Sequence, residues 1–283
     1  MSILIADSGA TKTEWRLTGS TRNKTITTQG LSPYFLDAEQ MTALLQKELW
    51  PKLKNAVLPE QVYFFGTGCS NSANNRIVKT ALKNIFPKAR IAVDHDMAGA
   101  ARSLCGNTKG IACILGTGSS ACFFDGKKVA KSRTGLGYAL GDEGSGAYLG
   151  RKVIQYYLYG TFDEELAGIF RMKFPGADRV TILENVYKKP FPSRYLAGFA
   201  VFLAENRGHY MIENIIEDGL NDFFFHHIIH FQECWKYPVH FVGGVAYGFR
   251  DVIKTLCENY GLNGGRILKR PMDGLAEFYG GKG

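Results

Sequence analysis

A strand-and-turn pattern occupies residues 3–13, Ile3-Leu4-Ile5-Ala6-Asp7-Ser8-Gly9-Ala10-Thr11-Lys12-Thr13. The apolar run predicts a β-strand, and the small polar residues after Asp7 predict a tight turn. The stretch Glu14–Leu17 predicts a returning strand. An acid at a strand end, followed by backbone N–H groups and hydroxyls, suits phosphate oxygens, although an ordinary hairpin can carry the same residues.

The same pattern is found a second time, 109 positions further along the chain when Asp7 is aligned with Gly116. Gly110–Leu115 predicts an apolar strand, Gly116–Ser120 a turn and Ala121–Asp125 the returning strand. Because one order of elements heads each half, we infer an internal duplication of architecture. Strand patterns alternate with helical patterns in both halves, which predicts an α/β protein.

The composition excludes several classes of protein. The chain of 283 residues is 45% hydrophobic and 21% charged, which argues against a disordered chain and against a small disulfide-dependent scaffold. It has 33 glycines and 9 prolines, a ratio that indicates backbone turns and ligand approach rather than linkers. The net charge of +8 permits anionic ligands. The basic residues are dispersed and accompany no nucleic-acid-binding motif, so we expect no nucleic-acid partner.

The cysteines and the apolar runs indicate in which cellular compartment the protein is expected. The six cysteines form no Cys-x-x-Cys pair, and several lie in apolar runs, which favours buried thiols in a reducing compartment. We find no basic leader with a cleavage site and no run of about 18 apolar residues. We therefore expect a cytoplasmic protein without a membrane partner.

Asp96 follows a predicted strand, Ala89–Val93, and precedes a predicted helix, Met97–Leu104. At such a position an acid is often a helix N-cap, and Asp94 is an alternative cap. The functional interpretation is a general base that takes a proton from a substrate hydroxyl during phosphoryl transfer.

Two glycine-rich segments predict backbone that approaches a small ligand. Ser132–Gly150 is too apolar for a free linker and predicts an ordered loop. Phe241–Ala246 predicts a strand that enters paired glycines before a helix, where an adenine and a ribose could pack. His226 and His230 have helical spacing, but apolar neighbours favour core or interface histidines over a metal site.

Taken in order, these segments resemble the sugar kinase, Hsp70 and actin superfamily. The first hairpin and Leu115–Ala121 look like its two phosphate motifs, and Phe241–Gly248 looks like its adenosine motif. Asp94–Arg102 and Pro271–Phe278 look like its two connecting helices. Within the superfamily, the stretch Gly141-Asp142-Glu143-Gly144-Ser145-Gly146-Ala147 is similar to the N-acetylglucosamine kinase and BadF/BadG-type ATPase family.

The resemblance implies an α/β fold with two ribonuclease H-like (actin-like ATPase) domains and a nucleotide and sugar cleft between them. The first domain is expected over residues 1–106, joined by a C-terminal helix at 273–283. The second is expected over residues 107–272, with a helical insertion. A homodimer is compatible with this organisation.

The resemblance also implies roles for individual residues. Asp96 would be the catalytic base, and Asp7 would hold Mg²⁺. The residues expected to bind ATP are Asp7, Gly9, Thr11 and Lys12 in the first hairpin, Gly116, Thr117, Gly118 and Ser119 in the second, and Gly243, Gly244 and Val245 beside the nucleoside. The residues expected near the sugar are Gly66, Thr67, Gly68 and Asp142.

The implied function is ATP-dependent phosphorylation of an amino sugar, most simply N-acetylglucosamine at its 6-hydroxyl, with Mg²⁺. One alternative is an ATPase that activates a partner enzyme through an iron–sulfur cluster, for which Cys105, Cys113 and Cys122 are candidate ligands. Another is a non-catalytic sugar sensor. The chain departs from the family pattern at Ser8, where glycine is usual, and at Ser32-Pro33-Tyr34, where an asparagine is frequent.

Overall fold

The computed structural model describes residues 2–9, 12–19, 23–53 and 58–280. They belong to two compact units. The first unit comprises Met1–Thr108, Gly126–Lys128 and Arg270–Gly283, and the second comprises Lys109–Asp125 and Val129–Lys269. Each unit contains one five-stranded sheet and a hydrophobic core of its own.

The secondary structure alternates strands and helices along most of the chain. The strands are β1 (Ile3–Ser8), β2 (Lys12–Thr18), β3 (Lys24–Gln29), β4 (Gln61–Gly66), β5 (Arg90–His95), β6 (Lys109–Leu115), β7 (Ser119–Asp125), β8 (Val129–Thr134), β9 (Val239–Val242) and β10 (Gly264–Leu268). The helices are α1 (Ala38–Glu48), α2 (Trp50–Leu53), α3 (Ser72–Ile85), α4 (Asp96–Cys105), α5 (Gly137–Leu140), α6 (Gly146–Leu158), α7 (Glu164–Lys173), α8 (Arg179–Tyr187), α9 (Pro192–Phe199), α10 (Val201–Glu205), α11 (Tyr210–Phe223), α12 (Gly244–Gly248), α13 (Arg250–Asn259) and α14 (Pro271–Tyr279). A π-helical turn (Phe224–Ile228) and a 3-10 turn (Gln232–Trp235) follow α11.

The two sheets have the same topology. The first has the strand order β3-β2-β1-β4-β5, and the second has the order β8-β7-β6-β9-β10. In each sheet the first three strands form an antiparallel meander, and the last two run parallel to the strand that begins the unit. This order is that of the ribonuclease H-like fold, so the α/β class and the internal duplication predicted from the sequence are confirmed.

The central strands and the helix starts follow simple physical rules. Leu4, Ile5 and Ala6 of β1 are fully buried, as expected for a strand covered on both faces. α1 begins with a capping box in which the Asp37 carboxylate and the Gln40 side chain satisfy each other's backbone N–H groups. The helices α5 to α11 lie between β8 and β9, and the ring of Phe170 in α7 packs against Tyr157 of α6, Phe199 of α9 and Phe202 of α10.

Several observed elements differ from the sequence expectations. β3, β8 and β10 were not predicted, and the segment 132–150 is divided between β8, the short helix α5, a loop and α6. The terminal helix expected at 273–283 spans Pro271–Tyr279, and residues 281–283 lie outside the described residues. α14 packs against α4 and β1 of the first unit. Among the described residues, no helix combines the length and apolarity needed to cross a bilayer.

Candidate functional site

Three parallel strands of the first unit end at the same level. Ser8 of β1 is paired with Gly66 of β4, and Gly66 is paired with His95 of β5. The first hairpin, the turn after β4 and the start of α4 therefore lie at one edge of this sheet. Ligands of open α/β sheets bind at this carboxyl edge.

Asp96 is the first residue of α4, and its carboxylate has defined partners. The Thr67 hydroxyl donates to Oδ2 of Asp96 at 3.1 Å, and the backbone N–H of Met97 donates to Oδ1 at 2.8 Å. The N-cap is His95, whose Nδ1 accepts from the backbone N–H of Ala98 at 3.2 Å. The interpretation of Asp96 or Asp94 as the cap is therefore wrong, because β5 continues through His95 and leaves that residue in the extended cap conformation.

Asp7 lies on β1 directly opposite Glu14 of β2. Burial raises the pKa of Asp7 from 3.8 to about 7, and the negative charges of Asp96 and Glu14 add to this effect, whereas Lys12 opposes it. Three carboxylates thus repel one another at this edge, so the site favours a proton or a cation.

This set of oxygen donors fits Mg²⁺, which binds through one or two carboxylates together with water and substrate phosphates. In the part of the chain that the structure describes, no three acidic, histidine or cysteine side chains form a ready-made metal cage. Glu14 is already engaged by Arg16 and Arg270, each at 3.5 Å. Asp7 is therefore the carboxylate best suited to a magnesium ion that arrives with phosphates.

The first hairpin closes through a hydrogen bond from the backbone N–H of Gly9 to the carbonyl oxygen of Lys12 at 2.9 Å. Asp7, Gly9 and Lys12 are thus brought together, as predicted from the sequence, while Thr11 lies outside the described residues. The Ser8 hydroxyl shares a hydrogen bond of 2.7 Å with the Thr13 hydroxyl and also accepts the backbone N–H of Leu31 at 3.1 Å. The serine that replaces the family glycine therefore ties the hairpin to the segment that leads into Ser32-Pro33-Tyr34.

The turn Gly66-Thr67-Gly68 is held against the first hairpin. The backbone N–H of Thr67 donates to the carbonyl oxygen of Ser8 at 2.9 Å. Gly68 has a φ of +89°, and a Cβ at this position would lie 3.0 Å from the ring of Tyr34. The Tyr34 ring is 61% exposed, so an aromatic surface borders the turn that carries Thr67.

Cys69 follows this turn but is not a nucleophile. The thiol is 1% exposed. Burial raises its pKa to about 12, with the nearby charges of Asp96 and Asp94 adding to the effect. It stays a neutral packing group in the wall behind Thr67.

In the second unit, the hairpin between β6 and β7 is tied to the first turn of α6. The backbone N–H of Gly116 donates to the carbonyl oxygen of Gly118 at 3.0 Å. The first free N–H groups of α6, at Gly146 and Ala147, donate to the carbonyl oxygens of Gly116 and Thr117 at 2.8 and 3.0 Å. The hairpin backbone is therefore held in one conformation.

Asp142 is also part of this arrangement. It is 9% exposed, has a φ of +55°, and its carboxylate accepts the backbone N–H groups of Ser119 and Gly137. Burial raises its pKa, although these hydrogen bonds oppose the effect. A Cβ at Gly118 would lie 3.1 Å from the Asp142 carboxylate, so the glycine permits the close approach. The structure thus places Asp142 on the hairpin between β6 and β7, and its contact with a sugar stays a prediction.

The segment after β9 meets the same hairpin. Gly243 has a φ of +131°, and a Cβ there would lie 2.1 Å from the carbonyl oxygen of Leu115. Gly244 begins α12, and a side-chain methyl of Val245 lies 3.6 Å from the Cβ position of Gly146. One surface of the second unit is therefore formed by three parts of the chain: Gly116 to Ser119, Asp142, and Gly243 to Val245.

A hydrogen bond joins His227 to Glu143, 84 positions apart, and no pattern in the sequence indicates it. His227 is buried, whereas His226 and His230 are exposed, and the π-helical turn removes the simple helical spacing of the latter pair. Cys105, Cys113 and Cys122 are buried. Within the described ranges no cysteine-containing group of three metal ligands exists.

No protein-family model and no curated protein sequence gives a match to this chain. Solved structures do. A candidate N-acetylglucosamine kinase from Porphyromonas gingivalis is 38% identical, with 98% of both chains covered and a TM-score of 0.90. A candidate N-acetylglucosamine kinase from Chromobacterium violaceum is 17% identical, with 96% of both chains covered and a TM-score of 0.66.

A glucokinase of the ROK family from Streptomyces griseus, solved with glucose and AMPPNP, is 15% identical. It has a TM-score of 0.56, with 98% of this chain and 97% of that chain covered. The similarity to the Chromobacterium violaceum and Streptomyces griseus proteins concerns the fold alone. The 38% identity to the Porphyromonas gingivalis protein extends along nearly the whole sequence. The chain therefore belongs to the N-acetylglucosamine kinase and BadF/BadG-type ATPase family of the sugar kinase–Hsp70–actin superfamily.

Proposed function

We propose that the protein transfers the γ-phosphoryl group of ATP to an amino sugar, with N-acetylglucosamine phosphorylated at its 6-hydroxyl. The observation that carries the proposal is the Asp96 carboxylate, held by the Thr67 hydroxyl at the carboxyl edge of β1, β4 and β5. The similarity to a candidate N-acetylglucosamine kinase over 98% of the chain supports the choice of sugar.

Asp96 acts as the general base in this proposal. Each carboxylate oxygen has two lone pairs, and the hydrogen bonds from Thr67 and Met97 occupy one on each oxygen. A lone pair is thus left to accept the proton of the sugar hydroxyl. The hydroxyl oxygen forms a bond to the γ-phosphorus, the bond from that phosphorus to the bridging oxygen breaks, and ADP leaves.

Thr67 is a positioning residue for this base. Its hydroxyl donates to Oδ2 of Asp96, and its own backbone N–H is fixed on Ser8. The carboxylate is therefore oriented before a substrate arrives, which lowers the entropic barrier of the reaction. Tyr34 offers an exposed aromatic face beside the same turn, against which an apolar face of a sugar ring can pack.

The nucleotide is bound by backbone rather than by long side chains. The N–H groups of Gly9, Gly116 and Ser119 hydrogen-bond within the protein and keep the two turns tight. Lys12 of the first hairpin, with Thr117 and Gly118 of the second, therefore offers the groups that approach the phosphates. Gly243, Gly244 and Val245 border the nucleoside, and Asp142 contacts the sugar. Asp7 would hold Mg²⁺, which supplies positive charge to the phosphates when it is bound.

The test compares Asp96→Asn with Asp94→Asn in an assay that couples ADP release to a spectroscopic signal. Loss of a general base lowers turnover by about 10²–10⁴-fold, so we expect Asp96→Asn to lose activity while keeping the fold and the affinity for ATP. Asp94 lies on β5, two residues before Asp96, and its side chain is exposed. Asp94→Asn should therefore retain turnover. Near wild-type turnover by Asp96→Asn would contradict the proposal.

A panel of sugars tests the substrate. We expect N-acetylglucosamine to be preferred over glucose and over N-acetylmannosamine. ATP hydrolysis that is indifferent to every sugar would favour the ATPase alternative, and sugar binding without turnover would favour a sensor.

A further inference from the structure

The loop that carries Asp142 is held by a pair of side chains, of which His227 is buried and Glu143 is half-buried. Nε2 of His227 lies 2.9 Å from Oε2 of Glu143, and these side chains are 7% and 18% exposed. Burial alone raises the pKa of Glu143, but the hydrogen bond from His227 and the positive charges of His227 and His226 outweigh it, so that the pKa is lowered. The Glu143 side chain is therefore an ionised acceptor for the hydrogen bond from His227.

The geometry determines which nitrogen of His227 donates. Nδ1 is buried and has no hydrogen-bond partner among the described residues, whereas Nε2 faces the carboxylate. Nε2 therefore carries the proton that the Glu143 carboxylate accepts. The ring of Phe223 stacks on the imidazole at a centroid distance of 4.9 Å, which leaves little freedom to turn.

The helix that carries His227 is also in direct contact with the loop. Gly144 has a φ of +68°, and a Cβ there would lie 2.8 Å from Cβ of Phe223 and 3.3 Å from the carbonyl oxygen of Gly219. The π-helical turn Phe224–Ile228 places His227 at the end of α11, facing Glu143. Such turns are frequent at functional sites, because they redirect a side chain that regular helix would point elsewhere.

The loop in turn holds the second phosphate hairpin. Asp142, adjacent to Glu143, has a left-handed backbone conformation, and its carboxylate accepts the backbone N–H of Ser119. The position of Asp142 therefore depends on both neighbours along the chain. Glu143 is one of them, and its carboxylate meets His227 as well as its own backbone N–H.

From this chain of contacts we infer that His227 is a positioning residue for nucleotide binding, acting through Glu143 and Asp142 on the hairpin Gly116 to Ser119. The inference rests on the proposed function, because that hairpin is proposed to bind the phosphates of ATP. His227 does not itself contact the nucleotide.

The experiment measures the dissociation constant of the non-hydrolysable ATP analogue AMPPNP by calorimetry, with magnesium present and without sugar. His227→Leu removes the donor but keeps an apolar side chain against Phe223. We expect affinity to fall by roughly five- to twentyfold, less than the full loss of one hydrogen bond to a charged group, because His227 acts on the hairpin through two intervening residues. His227→Gln places an amide N–H near the position of Nε2, so its affinity should stay within about twofold of that of the wild type.

His227→Asn is the second variant, because its shorter side chain is polar but does not reach Glu143; it should bind as weakly as His227→Leu. Tyr260→Phe is the matched control. It removes a hydrogen bond of 2.8 Å from Tyr260 to Asn221 of the same helix, α11, without affecting the pair. Circular dichroism and the thermal midpoint show which variants are folded.

Wild-type affinity in a folded His227→Leu or His227→Asn protein would overturn the inference, as would an equal loss of affinity in Tyr260→Phe, which would indicate a purely structural role. A protein that binds AMPPNP in a His227-dependent manner but phosphorylates no sugar would contradict the proposed function alone. A wild-type protein that does not bind AMPPNP would contradict both.

Discussion

Replacing Asp7 by asparagine tests the electrostatics of the first hairpin. Burial, followed by the charges of Asp96 and Glu14, raises the pKa of Asp7 from 3.8 to about 7. A carboxyl group whose pKa is higher in the folded than in the unfolded state binds its proton more tightly when folded. It therefore destabilises the folded state increasingly as the pH rises from about 4 to about 7, and by a constant amount above that.

The magnitude follows from the two pKa values. A rise from 3.8 to about 7 corresponds to about 4 kcal/mol at pH 8. Because solvent and local relaxation screen part of this repulsion, we expect Asp7→Asn to increase the free energy of unfolding by about 2–4 kcal/mol at pH 8. At pH 4 the wild-type side chain is neutral in the folded state and about 60% ionised in the unfolded chain, so the variant should gain only about 0.5 kcal/mol.

Urea unfolding followed by circular dichroism between pH 4 and pH 8.5 measures this difference, provided that the dependence on urea is the same in both proteins. Asp94→Asn is the control, since the Asp94 side chain is 56% exposed. The same variant of Asp7 should lose magnesium-dependent phosphoryl transfer, so that stability and activity change in opposite directions. A stability gain that is equal at pH 4 and pH 8, or equal in the control, would refute the reasoning.

Two further predictions concern backbone contacts in the two units. Gly243→Ala should lower the free energy of unfolding by about 2–4 kcal/mol and weaken nucleotide binding. Gly243 has a positive φ, and a Cβ there would collide with the carbonyl oxygen of Leu115. Gly248→Ala is the control in the same urea titration and should be neutral, because Gly248 has open space around it. Ser8→Ala should lower stability by about 1–3 kcal/mol, since a buried backbone N–H loses its acceptor, and an unchanged urea midpoint would contradict this.

The central strands of both sheets could be predicted from the sequence alone. Short apolar runs form β1, β4, β6 and β9. Because these strands are buried on both faces, both sets of alternating side chains are apolar, and a continuous apolar run is their signal in the sequence. Helices could also be predicted, because their apolar residues recur at helical spacing in the sequence. The start of α4 at Asp96 was predicted to within one residue, because the strand before it and the helix after it have different periods.

The strands that were missed all lie at sheet edges. β3 (Lys24–Gln29) is rich in threonine, β8 (Val129–Thr134) is largely exposed, and β10 (Gly264–Leu268) begins with two glycines. An edge strand pairs on one side only and buries little apolar surface, so backbone hydrogen bonds to its neighbour define it rather than its own side chains. Those hydrogen bonds exist only once the neighbouring strand is in place.

The residue types of the candidate site could be found in the sequence, but their partners could not. Asp7, Asp96 and the two glycine hairpins stand at strand ends, where local pattern locates them. The hydrogen bond from Thr67 to Asp96 joins residues 29 positions apart, and that from His227 to Glu143 joins residues 84 apart. Only the folded chain decides such pairs, because strand register and helix packing, which set their distances, depend on contacts remote in sequence.

The sequence by itself therefore determined the duplicated architecture, the family and the positions of the acids and the glycine turns. The tertiary structure decided what holds them. It made His95 rather than an acid the cap of α4, it joined Ser8 to the segment before Tyr34, and it placed Asp142 on the second hairpin. The physical reason is that a local pattern reports burial and backbone preference, whereas hydrogen bonds and charge repulsion depend on distances that only the complete fold establishes.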